Sequence, residues 1–237
     1  MKREINRLTW RDRRGGLRQP LTLAVCPDLH SEPYDDLLPA LREADAIVIP
    51  GDLLNRHDPD QREPALGFLR ACGETAPTLY APGNHERRIA DAHLWWEAVR
   101  ALPVRVLDDT CFRLREDVAV AGFCPSGRAE ADEGVLDRLS REDGFRLLLC
   151  HHPEHYQRYV SGREIDLTLA GHAHGGQFRL FGRGLYAPGQ GFFPRLTSGW
   201  YDGGALLVSR GLSNHGIIPR LNNPCELILL TLLPADA

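Results

Sequence analysis

Long hydrophobic runs are absent from the sequence. The longest apolar stretch runs from Leu227 to Leu233 and is interrupted by Thr231. A helix that crosses a bilayer needs about 20 predominantly apolar residues in succession. We therefore expect no transmembrane segment.

An excess of positive charge is also absent. The 28 lysine and arginine residues face 32 aspartate and glutamate residues, which gives a formal net charge of -4 and a pI near 6.2. Such a chain has no overall cationic field to hold a polyanion, so duplex nucleic acid is not an expected partner. The 237 residues, 43% of them hydrophobic, suffice for one well-buried domain.

The sequence has no cysteine pair of the CxxC type. Its cysteines are scattered mostly through apolar stretches, which is typical of reduced core residues and indicates a cytoplasmic protein. Their even number leaves disulfides open as an alternative. The six are Cys26, Cys72, Cys111, Cys124, Cys150 and Cys225.

An export signal is not evident, although the first twenty residues are basic. The pair Arg13-Arg14 resembles a twin-arginine signal, but only Leu21 to Cys26 is apolar after it and no small-residue cleavage site follows. We predict a solvated basic extension over residues 1–20 and a single domain over residues 21–237. Weak contact of the extension with an anionic membrane surface stays open. Its basic residues are Lys2, Arg3, Arg7, Arg11, Arg13, Arg14 and Arg18.

Short apolar runs that stop at polar clusters predict five buried strands. Helical spacing of apolar residues separates the first three runs, with Gly73 as a helix stop, and the order β-α-β-α-β predicts a parallel sheet covered by helices. The five runs are Leu21 to Val25, Ala46 to Ile49, Pro77 to Ala81, Phe145 to Cys150 and Asp166 to Ala170.

Further short strands and one helix complete the pattern. No internal repeat or linker divides the chain, so we predict an α/β (α+β) fold of two packed mixed sheets flanked by helices. The additional strands are Val104 to Leu107, Cys111 to Leu114, Val118 to Phe123, Ala205 to Ser209 and Leu227 to Leu233, and the helix lies around Val135 to Leu139.

Each of the five buried strands ends in potential metal ligands. Open α/β sheets gather their sites beyond the carboxyl ends of their strands, so these endings are expected to converge. Imidazoles, carboxylates and one amide oxygen suit Mn, Fe, Zn or Co better than Ca or Mg. The endings are Asp28-Leu29-His30, Gly51-Asp52, Gly83-Asn84-His85-Glu86, His151-His152-Pro153 and Gly171-His172-Ala173-His174-Gly175-Gly176.

The spacing within two of these endings matters. In Asp28-x-His30 and His172-x-His174, residues two apart point the same way if the segment is extended. A single histidine such as His93 or His155 is better interpreted as an ordinary polar residue. Five such endings in order favour a metal site, because buried polar groups need partners.

The ordered blocks DLH, GDLLN, GNHE, HHP and GHAHGG, between residues 28 and 176, resemble the calcineurin-like metallophosphoesterases. The stretch from Tyr186 to Gly191, with Val208 to Gly211 and Arg220-Leu221, looks like the bacterial branch that includes membrane-anchored and lipid-head-group phosphodiesterases. Many members of that branch begin with a hydrophobic anchor, which this sequence does not show. The resemblance implies a four-layer α/β/β/α fold.

The resemblance also implies a centre of two divalent metal ions, drawn from Mn, Fe, Zn, Co or Ni. Asp52 would bridge the two ions. His85 would protonate the leaving group or stabilise the transition state. One ion would be held by Asp28, His30, Asp52 and His174, and the other by Asp52, Asn84, His151 and His172.

Two adjacent cations would lower the pKa of a bridging water enough to give hydroxide near neutral pH. The nucleophile would then be solvent, so no cysteine is needed for attack, and no serine-centred nucleophile elbow is visible. Arg56, Arg87 and Arg88 follow two of the ligand blocks and are candidates to grip a substrate phosphate. A solvated surface is the alternative interpretation for each.

The sequence therefore predicts a metal-dependent phosphoesterase that hydrolyses diester or monoester bonds in a small substrate, with nucleotides and lipid head groups as candidates. One alternative is a pyrophosphatase acting on a UDP-sugar lipid, which would need an apolar groove. Another is a non-catalytic scaffold, which loss of ligands would mark, whereas every expected ligand type is present. The Gly-, Pro- and aromatic-rich stretch 175–204 predicts either a pocket wall or packing over a sheet edge. The oligomeric state is open.

Overall fold

The structure, a computed structural model of the chain, describes residues 3–58, 62–125, 132–214 and 220–236. Within these ranges, two six-stranded sheets pack face to face and carry helices on their outer faces. Both sheets mix parallel and antiparallel pairs, which confirms the predicted fold class.

The first sheet contains the three strands predicted at the start of the sequence. Their parallel pairing confirms the β-α-β-α-β order, and the last strand of the chain joins the sheet antiparallel to the first of them. In spatial order the strands are β1 (Glu4–Arg11), β16 (Glu226–Leu233), β2 (Leu21–Val25), β3 (Ala46–Pro50), β4 (Thr78–Ala81) and β5 (Arg105–Val106).

The second sheet has four parallel strands at its centre and one antiparallel strand at each edge. Two small hairpins precede its outermost strand. The sheet order is β14 (Gly199–Tyr201), β15 (Leu206–Val208), β9 (Leu167–Ala170), β8 (Phe145–Leu149), β7 (Val118–Gly122) and β6 (Cys111–Arg115). The hairpins are β10 (Arg179–Leu180) with β11 (Arg183–Gly184), and β12 (Tyr186–Ala187) with β13 (Gly191–Phe192).

In the described part of the chain, four α-helices and several short turns cover the sheets. The predicted stop at Gly73 is wrong, because the second helix continues past it. Gly73 instead allows a close approach, since a Cβ there would lie 2.5 Å from the carbonyl oxygen of Pro103. The helices are α1 (Leu38–Leu41), α2 (Arg62–Thr75), α3 (Ala92–Arg100) and α4 (Gly134–Ser140). The single turns are 3-10 helices at Asp35–Leu37, Glu86–Arg88, His174–Gly176 and Asp202–Gly204, and a π-helix at Tyr156–Val160.

Among the described side chains, three apolar clusters lie between these layers. Alternation along β3 sends Val48 into the core between the sheets, and Ile47 and Ile49 outwards against Phe68 and Trp95 of the helices. On the far side, α4 and the π-helix pack on the second sheet. Complete burial of each such side chain contributes about 1.5–3 kcal/mol. The result is the expected α/β/β/α order of layers.

Two further features of the structure are the state of the cysteines and the polarity of the helices. All six cysteines are free, and each except Cys111 is buried. Among the described residues, no helix is both long enough and apolar enough to cross a bilayer.

The N-terminal segment corrects one prediction. Residues 4–11 are not a solvated extension, because they form β1 at the edge of the first sheet and pair with β16 in parallel. The ring of Trp10 lies 5.4 Å from that of Phe145, and its Nε1 donates to the carbonyl of Gly204 at 2.8 Å. Edge strands bury little of their surface, so the apolar signal of β1 is weak. The single domain over residues 21–237 stays a prediction.

Five basic side chains of this segment form ion pairs with carboxylates, most of them at the solvent-exposed surface. Weak contact of residues 1–20 with an anionic membrane surface stays a prediction. Lys2 lies outside the described residues. The pairs are Arg3 with Asp36, Arg7 with Glu43, Arg11 with Asp236, Arg14 with Glu164, and Arg18 with Glu116.

Replacement of Trp10 by alanine should lower the free energy of unfolding by about 3 kcal/mol, because it removes a large buried side chain and a hydrogen bond. Urea unfolding measures the change. Thr9→Ala, at an exposed position of the same strand, is the control and should leave stability unchanged. Equal stability of the two variants would contradict the docking of β1.

Candidate metal centre

The carboxyl ends of five strands, three from the first sheet and two from the second, meet at one edge of the sandwich. All seven residues predicted as ligands follow these ends. Asp28 and His30 follow β2, Asp52 follows β3, Asn84 follows β4, His151 follows β8, and His172 and His174 follow β9. The structure thus brings together residues that are up to 146 positions apart in the chain.

One group of side chains consists of Asp28, His30 and His174, all buried. The Nε2 atoms of the two histidines are 3.3 Å apart, and each is 3.9 Å from Oδ1 of Asp28. Candidate ligand atoms of the three residues lie within 4.8 Å of one another. This spacing allows one cation to contact all three.

A second group is centred on Asp52. Its Oδ2 lies 3.0 Å from Nε2 of His151 and 4.0 Å from Nε2 of His30. The amide oxygen of Asn84 is buried without a hydrogen-bond partner. Because Asp52 is near both His30 and His151, its carboxylate lies between the two groups of candidate ligands.

The backbone at these positions is unusual. Left-handed φ angles are rare for residues other than glycine and cost of order 1–3 kcal/mol, and they concentrate at functional sites. They correct the expectation of extended segments in Asp28-x-His30 and His172-x-His174, since sharp turns direct these side chains instead. The angles are 59° at Asp28, 50° at His30, 55° at Asp52, 63° at His172 and 47° at His174.

Two glycines let these turns approach one another closely. A Cβ at Gly83 would lie 2.1 Å from Oδ1 of Asp52, and a Cβ at Gly171 would lie 2.6 Å from Oδ2 of Asp28. The space is used by hydrogen bonds to the carboxylates: the backbone N–H of His172 donates to Asp28 at 3.0 Å. The positions of both carboxylates are therefore fixed by main-chain packing.

The tautomer of His151 is set by its surroundings. Its Nδ1 donates to the carbonyl of Pro50 at 2.8 Å, which directs Nε2 at Asp52. Burial alone would lower the pKa of His151, but the Asp52 carboxylate outweighs burial and raises it to about 10. A proton or a metal cation at Nε2 satisfies this pair, and a ligand histidine typically donates its other N–H in this way.

The two carboxylates differ in proton affinity. Burial, reinforced by the charge of Asp52, raises the pKa of Asp28 to about 7. Burial acts in the same direction on Asp52, but His151, followed by His85 and His30, holds the pKa of Asp52 well below its usual range. Two buried carboxylates among imidazoles are an expensive arrangement without compensating positive charge. The donor set therefore fits divalent cations.

His85 lies beside this cluster in a distinct hydrogen-bonding arrangement. Its Nδ1 accepts the backbone N–H of Arg56 at 3.1 Å, so in the neutral ring the proton is on Nε2. That Nε2 is 4.0 Å from Oδ2 of Asp52, and His85 lines the adjoining cleft. The arrangement presents a hydrogen-bond donor, although His85 is close enough to be grouped with His30 and Asp52 as a candidate ligand.

His174 has a similar hydrogen-bonding arrangement. Nη2 of Arg220 donates to Nδ1 of His174 at 3.0 Å, which places the proton of the neutral ring on Nε2. Coordination through that Nε2 requires release of the Arg220 contact. In the sequence, Arg220 was marked only by the family resemblance, and no local spacing connects it with the ligand blocks.

Glu86 organises the loops that carry Asp52 and Asn84. Its side chain is fully buried, and its two oxygens accept four backbone N–H groups. Burial, with the charge of Asp52, raises the pKa of Glu86, while the N–H bonds and His151 oppose the rise. The donors are Asp52 (3.1 Å), Leu53 (2.8 Å), Leu54 (3.3 Å) and Gly83 (2.7 Å).

Glu86→Gln should reduce the free energy of unfolding by about 3 kcal/mol, because an amide replaces an acceptor that receives four donors. It should also weaken metal binding through displacement of the Asp52 loop. Urea unfolding and metal titration measure the two effects, with the exposed Glu97→Gln as control. Wild-type stability in Glu86→Gln would contradict this role.

A cleft of about 940 Å³ opens above the cluster. Arg56 and Arg88, two of the predicted phosphate contacts, line it, as do Tyr186 and Pro188 from the hairpin region. Arg87 is absent from the described lining and pairs with Asp108 and with Asp109, the latter at 3.6 Å. Arg87 is therefore engaged in ion pairs with two aspartates, whereas Arg56 and Arg88 face the cleft.

His152 is a further candidate, to which the sequence pattern assigned no role. It lines the cleft, and its ligand atoms group with those of His151 and His172 within 4.8 Å. Its Nδ1 is 2.9 Å from Oε1 of Glu154, an orientation in which a carboxylate holds the ring. The adjacent pair His151-His152 was the sequence feature that could have indicated His152. Sequence alone, however, does not distinguish a second functional histidine from a solvated one, whereas its position in the structure does.

The chain is similar to several known proteins. Residues 21–176 match the family model of the calcineurin-like phosphoesterases. YpbG of Bacillus subtilis, an uncharacterized protein, is 28% identical over 224 residues, which cover 91% of this chain and 82% of YpbG. An uncharacterized metallophosphoesterase of Helicobacter pylori J99 is 27% identical, covering 82% of this chain and 53% of that protein.

A third relative has a more specific name. Phosphodiesterase YaeI of Escherichia coli K12 is 26% identical over 174 residues, which cover 68% of this chain and 63% of YaeI. The match thus spans only about half of the Helicobacter protein and less than two thirds of YaeI. On the strength of the family match and of the clustered ligands, the chain belongs to the calcineurin-like phosphoesterase family and is a metallophosphoesterase.

Proposed function

We propose that this protein hydrolyses small phosphodiesters at a centre of two divalent metal ions. The observation that carries the proposal is the position of Asp52 between two groups of buried candidate ligands. Asp28, His30, Asp52 and His174 would hold one ion, and Asp52, Asn84, His151 and His172 the other.

The chemistry is divided between the ions and the chain. When bound, divalent ions would neutralise phosphoryl oxygens and lower the pKa of water. Nε2–H of His85 would donate to the phosphoryl or leaving-group oxygen, since Arg56 N–H already occupies Nδ1. Proton donation from a neutral imidazole is unfavourable, so this arrangement favours hydrogen-bond stabilisation of the transition state over general-acid catalysis.

The cleft supports a substrate larger than a bare phosphate. Arg56 and Arg88 would hold phosphoryl oxygens, with their guanidinium groups on the cleft wall. A volume of about 940 Å³ leaves room for both ester groups of a diester. The name of the relative YaeI, a phosphodiesterase, supports the same preference. The free cysteines support a reducing, cytoplasmic location.

Turnover after metal removal tests the proposal. The protein is stripped with chelator and assayed on bis-p-nitrophenyl phosphate and p-nitrophenyl phosphate, with Mn, Fe, Zn, Co, Ni or Mg restored singly. We expect metal-dependent turnover that favours the diester. Preference for the monoester would overturn the diester assignment. Metal binding without turnover of either ester would favour the scaffold interpretation, and turnover unchanged by chelation would exclude the proposed centre.

A further inference from the structure

A cluster of exposed apolar side chains lies on the two hairpins beside the cleft. The structure describes seven exposed large hydrophobic residues, and five of them belong to this region. Phe181 is 96% exposed, Phe193 81% and Phe192 78%, with Leu180 and Leu221 more than half exposed. We call these five residues the aromatic tip. A concentration of this kind on a folded surface marks an interaction site.

The backbone of the tip is held in costly conformations. Phe181 and Phe193 have φ angles of 48° and 54°, in the left-handed region that bulky residues rarely adopt. Phe181 lies in the turn between β10 and β11, where glycine or asparagine would avoid this cost. Neither ring gains compensating burial within the fold. Both rings stay exposed despite this cost, and strain of this kind concentrates at functional sites.

Main-chain bonds join the parts of the tip. The N–H of Leu185 donates to the carbonyl of Phe178 at 2.9 Å, and the N–H of Phe193 donates to the carbonyl of Leu185 at 2.9 Å. Leu221 is attached to the first hairpin, because its carbonyl accepts the N–H of Arg179 at 3.0 Å. The two hairpins and Leu221 therefore form one connected platform.

The charge around the tip differs from that of the whole chain. Residues 167–201 contain no aspartate or glutamate but include Arg179, Arg183 and Arg195, although the chain carries a formal net charge of -4. Arg183 and Arg195 are exposed, whereas Arg179 donates to Ser198 and to the carbonyl of Gly175. The tip thus combines exposed apolar rings with the exposed cationic side chains of Arg183 and Arg195. This combination complements an anionic, amphipathic surface.

The tip adjoins the cleft. The rings of Phe192 and Tyr186 are 5.4 Å apart, and Tyr186 lines the cleft. A flat surface that contacts the tip would lie near the cleft mouth. Contact of the exposed rings with such a surface would therefore place the cleft next to it.

We propose that the aromatic tip docks the protein on an anionic lipid bilayer, with Phe181, Phe192 and Phe193 inserted at the headgroup level. Arg183 and Arg195 supply attraction to the lipid phosphates. Symmetric pairing of two tips in a dimer would bring the arginines of two copies together, so charge favours the bilayer over a second copy. The docking does not depend on hydrolysis and is measurable without substrate.

Vesicle co-sedimentation of the full chain tests this inference. Vesicles contain either phosphatidylglycerol with phosphatidylethanolamine or phosphatidylcholine alone. We expect binding to the anionic vesicles that salt weakens, and a loss of at least about tenfold in the triple variant Phe181→Ser, Phe192→Ser, Phe193→Ser. The matched control is Leu94→Ser, which changes an exposed apolar residue on α3.

A second variant and two further measurements distinguish a loss of docking from a loss of fold or of activity. Arg183→Glu with Arg195→Glu should weaken binding to anionic vesicles at least tenfold while the three rings stay in place. Thermal unfolding of each variant checks the fold, and turnover of bis-p-nitrophenyl phosphate checks the cleft independently of docking. Absence of vesicle binding by the wild type, equal binding by the triple variant, or a dimer that the triple variant dissolves would overturn the proposal.

Discussion

Asp52→Asn is expected to reduce kcat on the preferred phosphoester by at least about a thousandfold. The Asp52 carboxylate lies 3.0 Å from Nε2 of His151 and 4.0 Å from that of His30. An amide keeps the shape of the side chain but removes the negative charge shared by both groups of candidate ligands. Because a single substitution alters both proposed ion positions, metal content should fall together with activity.

Steady-state kinetics and elemental analysis of the same sample measure these effects. Asp35→Asn is the matched control, since Asp35 is exposed and lies outside the cluster. It should retain wild-type turnover and metal content. An Asp52→Asn variant with full activity and unchanged metal content would contradict the bridging role.

His85→Ala is expected to lower kcat by about a hundredfold to ten-thousandfold while metal content stays unchanged. The variant removes the Nε2–H donor at the cleft but leaves the seven proposed ligands in place. His93→Ala is the control, because His93 is an exposed histidine on α3. Kinetics at saturating metal, with metal content measured in parallel, separates catalysis from binding.

His85→Asn distinguishes two possible contributions of this residue. Its amide N–H can replace a hydrogen-bond donor but cannot deliver a proton, so partial recovery relative to His85→Ala would support the donor role. Equal activity of the two variants would favour proton transfer by His85. Loss of metal from His85→Ala would instead identify His85 as a ligand, which its proximity to His30 and Asp52 allows.

The strands that carry the site were predictable because they are buried on both faces. The run from Ala46 to Ile49 is continuous and apolar, as a strand between two layers requires, and it forms most of β3. Strand β1 and helix α3 were not predicted. Only Trp10 of β1 is buried, so this strand leaves no strong apolar pattern. Helix α3 was missed although Trp95, Trp96 and Val99 have helical spacing and pack against the core.

The grouping of the candidate ligands was predictable for a topological reason. Parallel strands end at a common edge, so polar residues that follow them converge whatever their separation in sequence. The local turns were not predictable, since left-handed φ angles at Asp28 and His172 depend on packing around them. The proton positions of His85 and His174 depend on Arg56 and Arg220, which no spacing rule connects with those rings.

The surroundings of the site were the least predictable part. Three arginines near the ligand blocks were equivalent in sequence, yet Arg56 and Arg88 line the cleft while Arg87 pairs with Asp108. The aromatic stretch divides among three environments, since Tyr186 lines the cleft, Trp200 packs against the core from edge strand β14, and Phe192 is exposed. Residues that are equivalent in sequence differ in this way because their hydrogen-bond and packing partners come from distant parts of the chain.

The most direct test of the dinuclear centre is titration of metal-stripped protein with Mn²⁺, in which bound metal, hydrolysis and the electron paramagnetic resonance signal are followed together. The proposed centre predicts about two ions per chain, activity that requires the second ion, and a signal from a magnetically coupled pair. Full activity with one ion per chain, or two ions that show no coupling, would contradict it.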